Sequence, residues 1–337
     1  MEYYVGIDLH SNNNYIGILD GEGKKVYKKK NGNDLLEIIK CLLPFKELIK
    51  GIVVESTFNW YWLVDGLMDS DFRLHLANTT AMQQYSGLKY SDDTTDSFWL
   101  ANMLRLNILP EGWYPKELRA VRDLSRKRIQ LVQHRTAFLL SIKGMISNCT
   151  GIMRSRKDLK NLSSADIEEI FTNPHQVTSA QSLNEVVGFI RVQIEKIEKA
   201  VLEEVKLRPE FKKLLTVTGI GNILALTIML ETGDINRFAE VGDYSSYCRC
   251  VPSVRLSNGK KKGKGNSKSG NRYLAWAYME AAHHMVIHCN LAKRWHQKKM
   301  SKGGCWIVAT KALSAKISRA CYYIMKDQRP YNPMKLF

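Results

Sequence analysis

The sequence predicts an α/β N-terminal part followed by a mainly helical remainder, and three observations lead there. Residues 3–20 read YYVGIDLHSNNNYIGILD: Val5, Ile7 and Leu9 alternate with small or polar residues, Ser11 to Asn14 turn the chain, and Ile16, Ile18 and Leu19 resume, as in a β-hairpin. Two further short apolar runs, Gly51–Val54 and Phe72–Leu76, alternate with helically spaced stretches, which indicates a mixed sheet with helices on its faces. Beyond Leu118 the long patterned stretches have helical spacing.

In order, Gly21 to Gly23 turn the chain into a third strand, Lys24–Lys29, and Asn33–Leu43 is a helix that Asn33 or Asp34 caps. Gly51–Val54 is too short for a helix and ends on Glu55, so it reads as a buried central strand. Asn59–Met68 is helical, Phe72–Leu76 a strand and Thr80–Tyr85 a helix. Ser91 and Asp92 cap the next helix, within Tyr90–Leu106, whose apolar stripe includes Phe98, Leu100, Ala101, Met103 and Leu104. Leu118–Ile146 is a long basic helix, and its Arg119, Arg122, Arg126 and Arg128 either track phosphates or form a solvated face. Residues 151–180 read as irregular and polar, with Pro174 as a breaker, and Ser182–Leu207 as a second long helix. Val186, Ile190, Ile194, Ile197 and Val201 give that helix the stripe of an antiparallel coiled-coil arm or a dimer seam.

From Leu214 the chain reads LLTVTGIGNILALTIMLETGDINRF, in which Gly219-Ile220-Gly221 suits a helix-hairpin-helix turn. Such glycines let the backbone approach a phosphate at the next helix N-terminus; a tight structural turn is the other reading. Between Cys250 and Tyr273, Pro252, Ser257-Asn258-Gly259 and further glycines exclude regular structure, while Arg255, Lys260, Lys261, Lys262, Lys264, Lys268 and Arg272 surround them. This stretch is expected to be a phosphate-gripping loop, with a helix resuming over Leu274–Cys289. The expected domains are 1–120, 121–206 and 207–337.

Composition narrows the partners. A 337-residue chain with 45% hydrophobic and 25% charged residues has the makeup of a soluble globular protein with two or three domains. Its longest apolar run, Ile223–Leu230 broken by Thr227, is too short to cross a bilayer, and Met1 leads into a strand without a signal-peptide pattern. Seven scattered cysteines suggest neither a disulfide framework nor a zinc knuckle, so a reducing cytoplasm is expected. The net charge of +17 is unevenly placed: residues 1–243 hold 31 basic and 31 acidic side chains, whereas 244–326 hold 17 basic ones and a single acid, Glu280. So one-sided a segment calls for a polyanion, and a nucleic acid is the expected partner. No basic amphipathic anchor beside a lipidation motif supports a membrane surface instead.

Four acids stand out. Asp8 lies inside the first strand, where an unpaired carboxylate is costly to bury unless a cation binds it, although a strand-end Asp can also cap its own turn. Asp93 and Asp96 lie three apart on one helical face, either as ordinary N-terminal decoration or as a repelling pair that a divalent cation would relieve. With Glu55 they form a set whose placement resembles the resolvase (RuvC-like) type of the ribonuclease H-like fold, in which such acids meet at the middle of the sheet and hold two Mg²⁺ ions. His283, His284 and His288 with Cys289 have no fourth ligand at a familiar spacing and read as ordinary helix residues. Trp60, Trp62, Trp99, Trp276, Trp295 and Trp306 read as core.

A resemblance to one family runs through nearly the whole chain. VGIDLH at Val5–His10, VVESTFNWYWLVDGL at Val53–Leu67, DDTTDSFWLANML at Asp92–Leu104, the Gly219-Ile220-Gly221 stretch, and VPSVRLSNGKKKGKGNSKSGNRYL from Val251 together resemble the DEDD transposases of insertion sequence family 110. The resemblance implies an acidic tetrad at Asp8, Glu55, Asp93 and Asp96, two Mg²⁺ ions, and a catalytic serine five residues after Pro252, at Ser257. Asp92 and Ser253 are rivals where the chain departs from the family pattern.

It further implies DNA cut and rejoined through a covalent phosphoserine in a prokaryotic cytoplasm. The expected partners are donor and target DNA, a structured bridge RNA as guide, and other copies of the chain, as a dimer or a tetramer in the synapse. The alternatives are a junction-resolving nuclease that stops at hydrolysis, a site-specific invertase, and a nucleic-acid-binding protein descended from a transposase. The serine and the acids are far apart in sequence, which motivates sharing between protomers. Mixing Ser257→Ala chains with Asp8→Ala chains is then expected to restore recombination that each lacks alone; a mixture as inactive as its parents would overturn the sharing.

Overall fold

In a computed structural model, Tyr3–Leu9 (β1) and Asn13–Asp20 (β2) pair antiparallel as the alternation requires, and Lys25–Gly32 (β3) adds a third antiparallel strand. The structure describes residues 1–56, 59–79, 81–82, 93–113, 116–252, 256–263 and 269–337. The chain divides into two units, Met1–Glu117 and Leu118–Phe337.

In the first unit, Leu35–Leu42 (α1) follows the meander and is capped by Asp34, which accepts from the backbone N–H groups of Leu36 and Glu37. Ile49–Glu55 (β4) then runs parallel to β1, Tyr61–Asp69 (α2) follows, and Leu74–Ala77 (β5) runs parallel to β4. The five strands lie in the order β3-β2-β1-β4-β5. Val5, Ile7 and Leu9 on one face of β1 pack into a core with Ile38, Leu42, Leu63 and Leu67 of α1 and α2. The helix expected over Thr80–Tyr85 falls on residues of which only Ala81 and Met82 are described, and Ser91 and Asp92 lie outside the described residues.

Asp93–Arg105 (α3) lies directly on the opposite face of the sheet. Gly6 and Gly17 face each other across β1 and β2. A Cβ on Gly6 would fall 1.9 Å from the Ser97 carbonyl oxygen, and one on Gly17 would fall 2.7 Å from Ser97 Oγ. The paired glycines therefore form a notch that takes the fully buried Ser97. That contact sets the first turn of α3 beside the carboxyl ends of β1 and β4.

The second unit is mainly helical: Arg119–Thr150 (α4), Arg156–Lys160 (α5), Ser164–Ile170 (α6), Pro174–Val205 (α7), Pro209–Leu214 (α8), Asn222–Thr232 (α9) and Val241–Tyr247 (α10) precede a two-residue ladder, Leu256–Ser257 (β6) and Lys260–Lys261 (β7). Arg272–His288 (α11), Asn290–Ser301 (α12) and Trp306–Lys326 (α13) complete it. α4 and α7 form an antiparallel hairpin: Arg128 meets Glu198 at 2.6 Å, while Met145, further along α4, meets Ser179, further back on α7. Ile190, Ile194 and Val201 are buried in the second unit, whereas Val186 of the expected stripe is 41% exposed. Among the described residues, no helix is long and apolar enough to cross a membrane.

Five expectations need correction. Residues 151–180 are not irregular: Ser155 with Asp158 and Ser163 with Asp166 form capping boxes that start α5 and α6. Pro174 begins α7, at the first turn, where its missing N–H leaves no hydrogen bond unmade, and Asn173 caps it. The α4 arginines neither form a solvated face nor lie open to phosphates: Arg119 and Arg122 are buried, Arg126 grips Glu231 through two bonds of 2.6 and 2.7 Å, and Arg128 pairs with Glu198. The loop after Pro252 does contain regular structure, because Asn258 and Gly259 take positive φ (50° and 70°) and make a hairpin turn of the I′ kind between Ser257 and Lys260. Of the tryptophans read as core, Trp306 is 41% exposed, since it opens α13 at the surface.

The notch predicts opposite signs for two similar substitutions. Gly6→Ala forces α3 off the sheet and should destabilise the protein by about 2 kcal/mol or more. Gly188→Ala, on an open face of α7 with nothing within 4 Å, should stabilise it by about 1 kcal/mol. Urea unfolding midpoints test both.

Candidate active site

Side chains alternate along a strand, so Asp8 shares the face of Gly6, and Glu55 shares the face of Val53, which packs against Leu100 and Met103 of α3. Ile7 pairs with Val54 in parallel register, which places Asp8 and Glu55 one step further, at the carboxyl ends of neighbouring strands. Open α/β sheets bind ligands at that edge. The first turn of α3 adds Asp93 and Asp96. Two strands and one helix thus bring the four acids into one neighbourhood, with Asp8 and Asp93 drawn together most closely.

Their electrostatics record the crowding. Asp8 is only 6% exposed. Burial is the main force that raises its carboxyl to about 6; His10 opposes the rise, and Asp96 and Asp93 add to it. Glu55 is also raised, first by burial and then by Asp8 and Asp96, again with His10 opposing.

His10 is the residue that sequence reasoning missed. Its Nε2 lies 3.1 Å from Asp8 Oδ2 and 3.5 Å from Asp93 Oδ1. The signal was present: residue 10 is two beyond residue 8, and the alternation that turns Asp8 towards α3 carries on to it.

The donor set fits a divalent cation. Asp8 Oδ2 is buried and completes no hydrogen bond with a described residue, a carboxylate oxygen of Asp93 lies within 4.8 Å of an Asp8 carboxylate oxygen, and Glu55 and Asp96 are close enough to influence the charge there. Hard oxygen ligands of this kind suit Mg²⁺.

The remaining candidates lie in the second unit. Ser257 is exposed on β6, directly across the ladder from Lys260, and Lys260 and Lys262 are exposed. Lys261 stands in β7, while Arg255, Lys264, Lys268 and the rival serine Ser253 lie outside the described residues. Arg272 is exposed at the start of α11 and donates to the Tyr273 hydroxyl at 2.9 Å. Gly219, with φ of 91°, is turned against α11: a Cβ there would lie 2.6 Å from the Ala281 carbonyl and 2.7 Å from the Met285 nitrogen. Helix packing therefore accounts for Gly219, whereas Gly221 stands open at the N-cap of α9. His284 and His288 stack along α11 with ring centroids 6.3 Å apart.

The raised Asp8 carboxyl has a definite consequence for stability. A folded value near 6 against 3.8 means that ionisation opposes folding, so stability is lost as pH rises from about 4 through 6. In chelator, Asp8→Asn should therefore unfold at higher urea at pH 7.5, by about 2 kcal/mol, and the gain should vanish near pH 4.

Comparison with known proteins gives this geometry a context. A model of DEDD transposases of the IS110 type matches residues 5–149, and a model described as transposase, IS116/IS110/IS902 family, matches residues 211–299. A probable family 20 transposase of Pseudomonas aeruginosa is 24% identical over 227 residues, 64% of this chain and 66% of that protein. The transposase for insertion sequence element IS1328 of Yersinia enterocolitica is 30% identical over 166 residues, 49% of this chain and 48% of its own. The transposase for IS1111A of Coxiella burnetii is 23% identical over 226 residues, covering 64% and 57%. The chain thus spans about half to two thirds of the length of these curated relatives. The two family models follow one another along the sequence and together cover more than half of it, around a five-stranded mixed sheet of the ribonuclease H-like type and a mainly helical second unit: the chain belongs to the IS116/IS110/IS902 family of transposases.

Proposed function

We propose that the chain cuts and rejoins DNA, with Asp8, Glu55, Asp93 and Asp96 as the acidic tetrad and Ser257 as nucleophile. The convergence of the tetrad acids at the carboxyl ends of β1 and β4 carries the reading, since nothing in the folding of the sheet calls for like charges there. These residues would hold two Mg²⁺ ions; such a pair, when bound, polarises the phosphoryl oxygens and stabilises the entering and leaving oxygens.

The chain's own residues supply the rest. Ser257 Oγ attacks a DNA phosphorus; the Oγ–P bond forms as the bond to one sugar oxygen breaks, the serine proton is lost, and the departing sugar oxygen is protonated. The phosphoserine ester conserves the bond, so a new sugar hydroxyl can displace the serine and restore the phosphodiester without an external energy source. Lys260, paired across the ladder, and Lys262 would offset charge on the phosphate. The basic surplus of residues 244–326 supports DNA as partner and accommodates a guide RNA. Functionally, 1–120 is read as the catalytic segment, 121–206 as the arm and 207–337 as the serine-bearing segment, in a homo-oligomer of a prokaryotic cytoplasm.

The tetrad alone would serve a nuclease, and one substitution separates the two. Ser257→Ala is expected to abolish both the covalent protein–DNA adduct and strand joining while DNA binding persists. Strand joining by that variant would overturn the assignment, and metal-dependent cleavage with no adduct in the parent protein would favour hydrolysis.

A further inference from the structure

We infer that His10 is a ligand of the cation held by Asp8 and Asp93, which makes the centre a mixed nitrogen and oxygen site rather than one of carboxylates alone. The inference rests on reading the acidic cluster as a metal centre. Its own support is geometric. The donor atoms of Asp8, His10 and Asp93 all lie within 4.8 Å of one another. An octahedral ion with bonds of about 2.1 Å holds neighbouring ligands about 3 Å apart. The separations from His10 Nε2, 3.1 Å to Asp8 and 3.5 Å to Asp93, are of that size. Asp8 is more than nine-tenths buried, and neither its Oδ2 nor His10 Nε2 completes a hydrogen bond with a described residue. A cation between them would give both atoms a ligand bond at once, and Asp8, largely buried, gains most from it.

The surroundings fix the backbone that carries the imidazole. The His10 N–H donates to the Asn13 carbonyl at 2.9 Å, and the His10 carbonyl accepts from Asn33 Nδ2 at 2.9 Å and from Asn59 Nδ2 at 3.0 Å. Its ring meets Tyr15 edge-on, 6.0 Å between centroids. A nitrogen donor favours first-row transition ions over Mg²⁺, which keeps to oxygen. The site should therefore prefer Mn²⁺ more strongly than carboxylates alone would. In the competing account, a protonated imidazole bridges the two carboxylates and leaves when the cation arrives.

Mn²⁺ bound to the full-length protein, read by electron spin-echo spectroscopy, separates these accounts. The expected result is a ¹⁴N coupling from a directly bound imidazole, replaced by a ¹⁵N pattern after labelling with ¹⁵N-histidine. In His10→Gln, with His10→Asn measured alongside, the coupling should disappear, and Mn²⁺ should bind about 10- to 100-fold more weakly while Mg²⁺ affinity changes less. Bound Mn²⁺ without nitrogen coupling in the parent protein overturns the inference and leaves the acidic centre standing. A coupling that persists in both variants overturns it too. If the parent protein binds no Mn²⁺, or Asp8→Asn binds it undiminished, the metal centre itself falls and His10 with it.

Discussion

Carboxylates crowded at the end of a strand repel one another, and the first unit is built so that they stay there. The apolar face of β1 is committed to the core under α1 and α2, so β1 cannot slip by one residue without burying Gly6 and Asp8 in that core. The opposite face is notched by Gly6 and Gly17, and the notch sets the height of α3 above the sheet. Helix and sheet thus bring like charges together through packing forces that involve no charge at all. The Asp8 carboxyl is raised first by its burial and then by Asp96 and Asp93, so both the packing and the like charges act against its ionisation.

The second unit treats a buried acid in the opposite way. Glu231 is 3% exposed, yet Arg126 grips it with two short bonds, Asn271 Nδ2 donates to it at 2.6 Å, and the guanidinium also stacks on Tyr273. Such a fully partnered charge is structural, since removing either member strands the other. Asn271 also caps α11, so this network ties α4 and α9 to the point where the lysine-rich loop ends. One buried carboxylate is satisfied and holds helices together; the other is unsatisfied and faces a site.

Much of this was legible in the sequence because it depends on short-range pattern. Strand alternation gave the hairpin, the four-residue run before Glu55 announced a central strand, and the three-residue step from Asp93 to Asp96 fixed a shared helical face. The errors arose where a residue's meaning depends on contacts distant in sequence. Pro174 read as a breaker because a proline stops a helix and starts one equally well, and only Asn173 and the capping boxes before it decide which. The α4 arginines looked solvated because their acids, Glu198 and Glu231, are 70 and 105 residues away. At Gly219 the sequence left a phosphate turn and a tight structural turn open, and the close packing on a helix some sixty positions downstream accounts for the glycine in the second way. His10 escaped notice because its partner in α3 is brought to it only by the glycine notch.

The hairpin of α4 and α7 has a dimension as well as a register. Each helix is 32 residues long, about 48 Å at 1.5 Å per residue. Its far end is not left bare, for α5 and α6 seal it with Leu159, Ile167 and Phe171 packed on Leu139, Ile142 and Ile146. Beside duplex DNA, at about 3.4 Å per base pair, that span is a stiff ruler some fourteen steps long. Whatever the tip touches is therefore more than one turn of the double helix away from whatever the root touches.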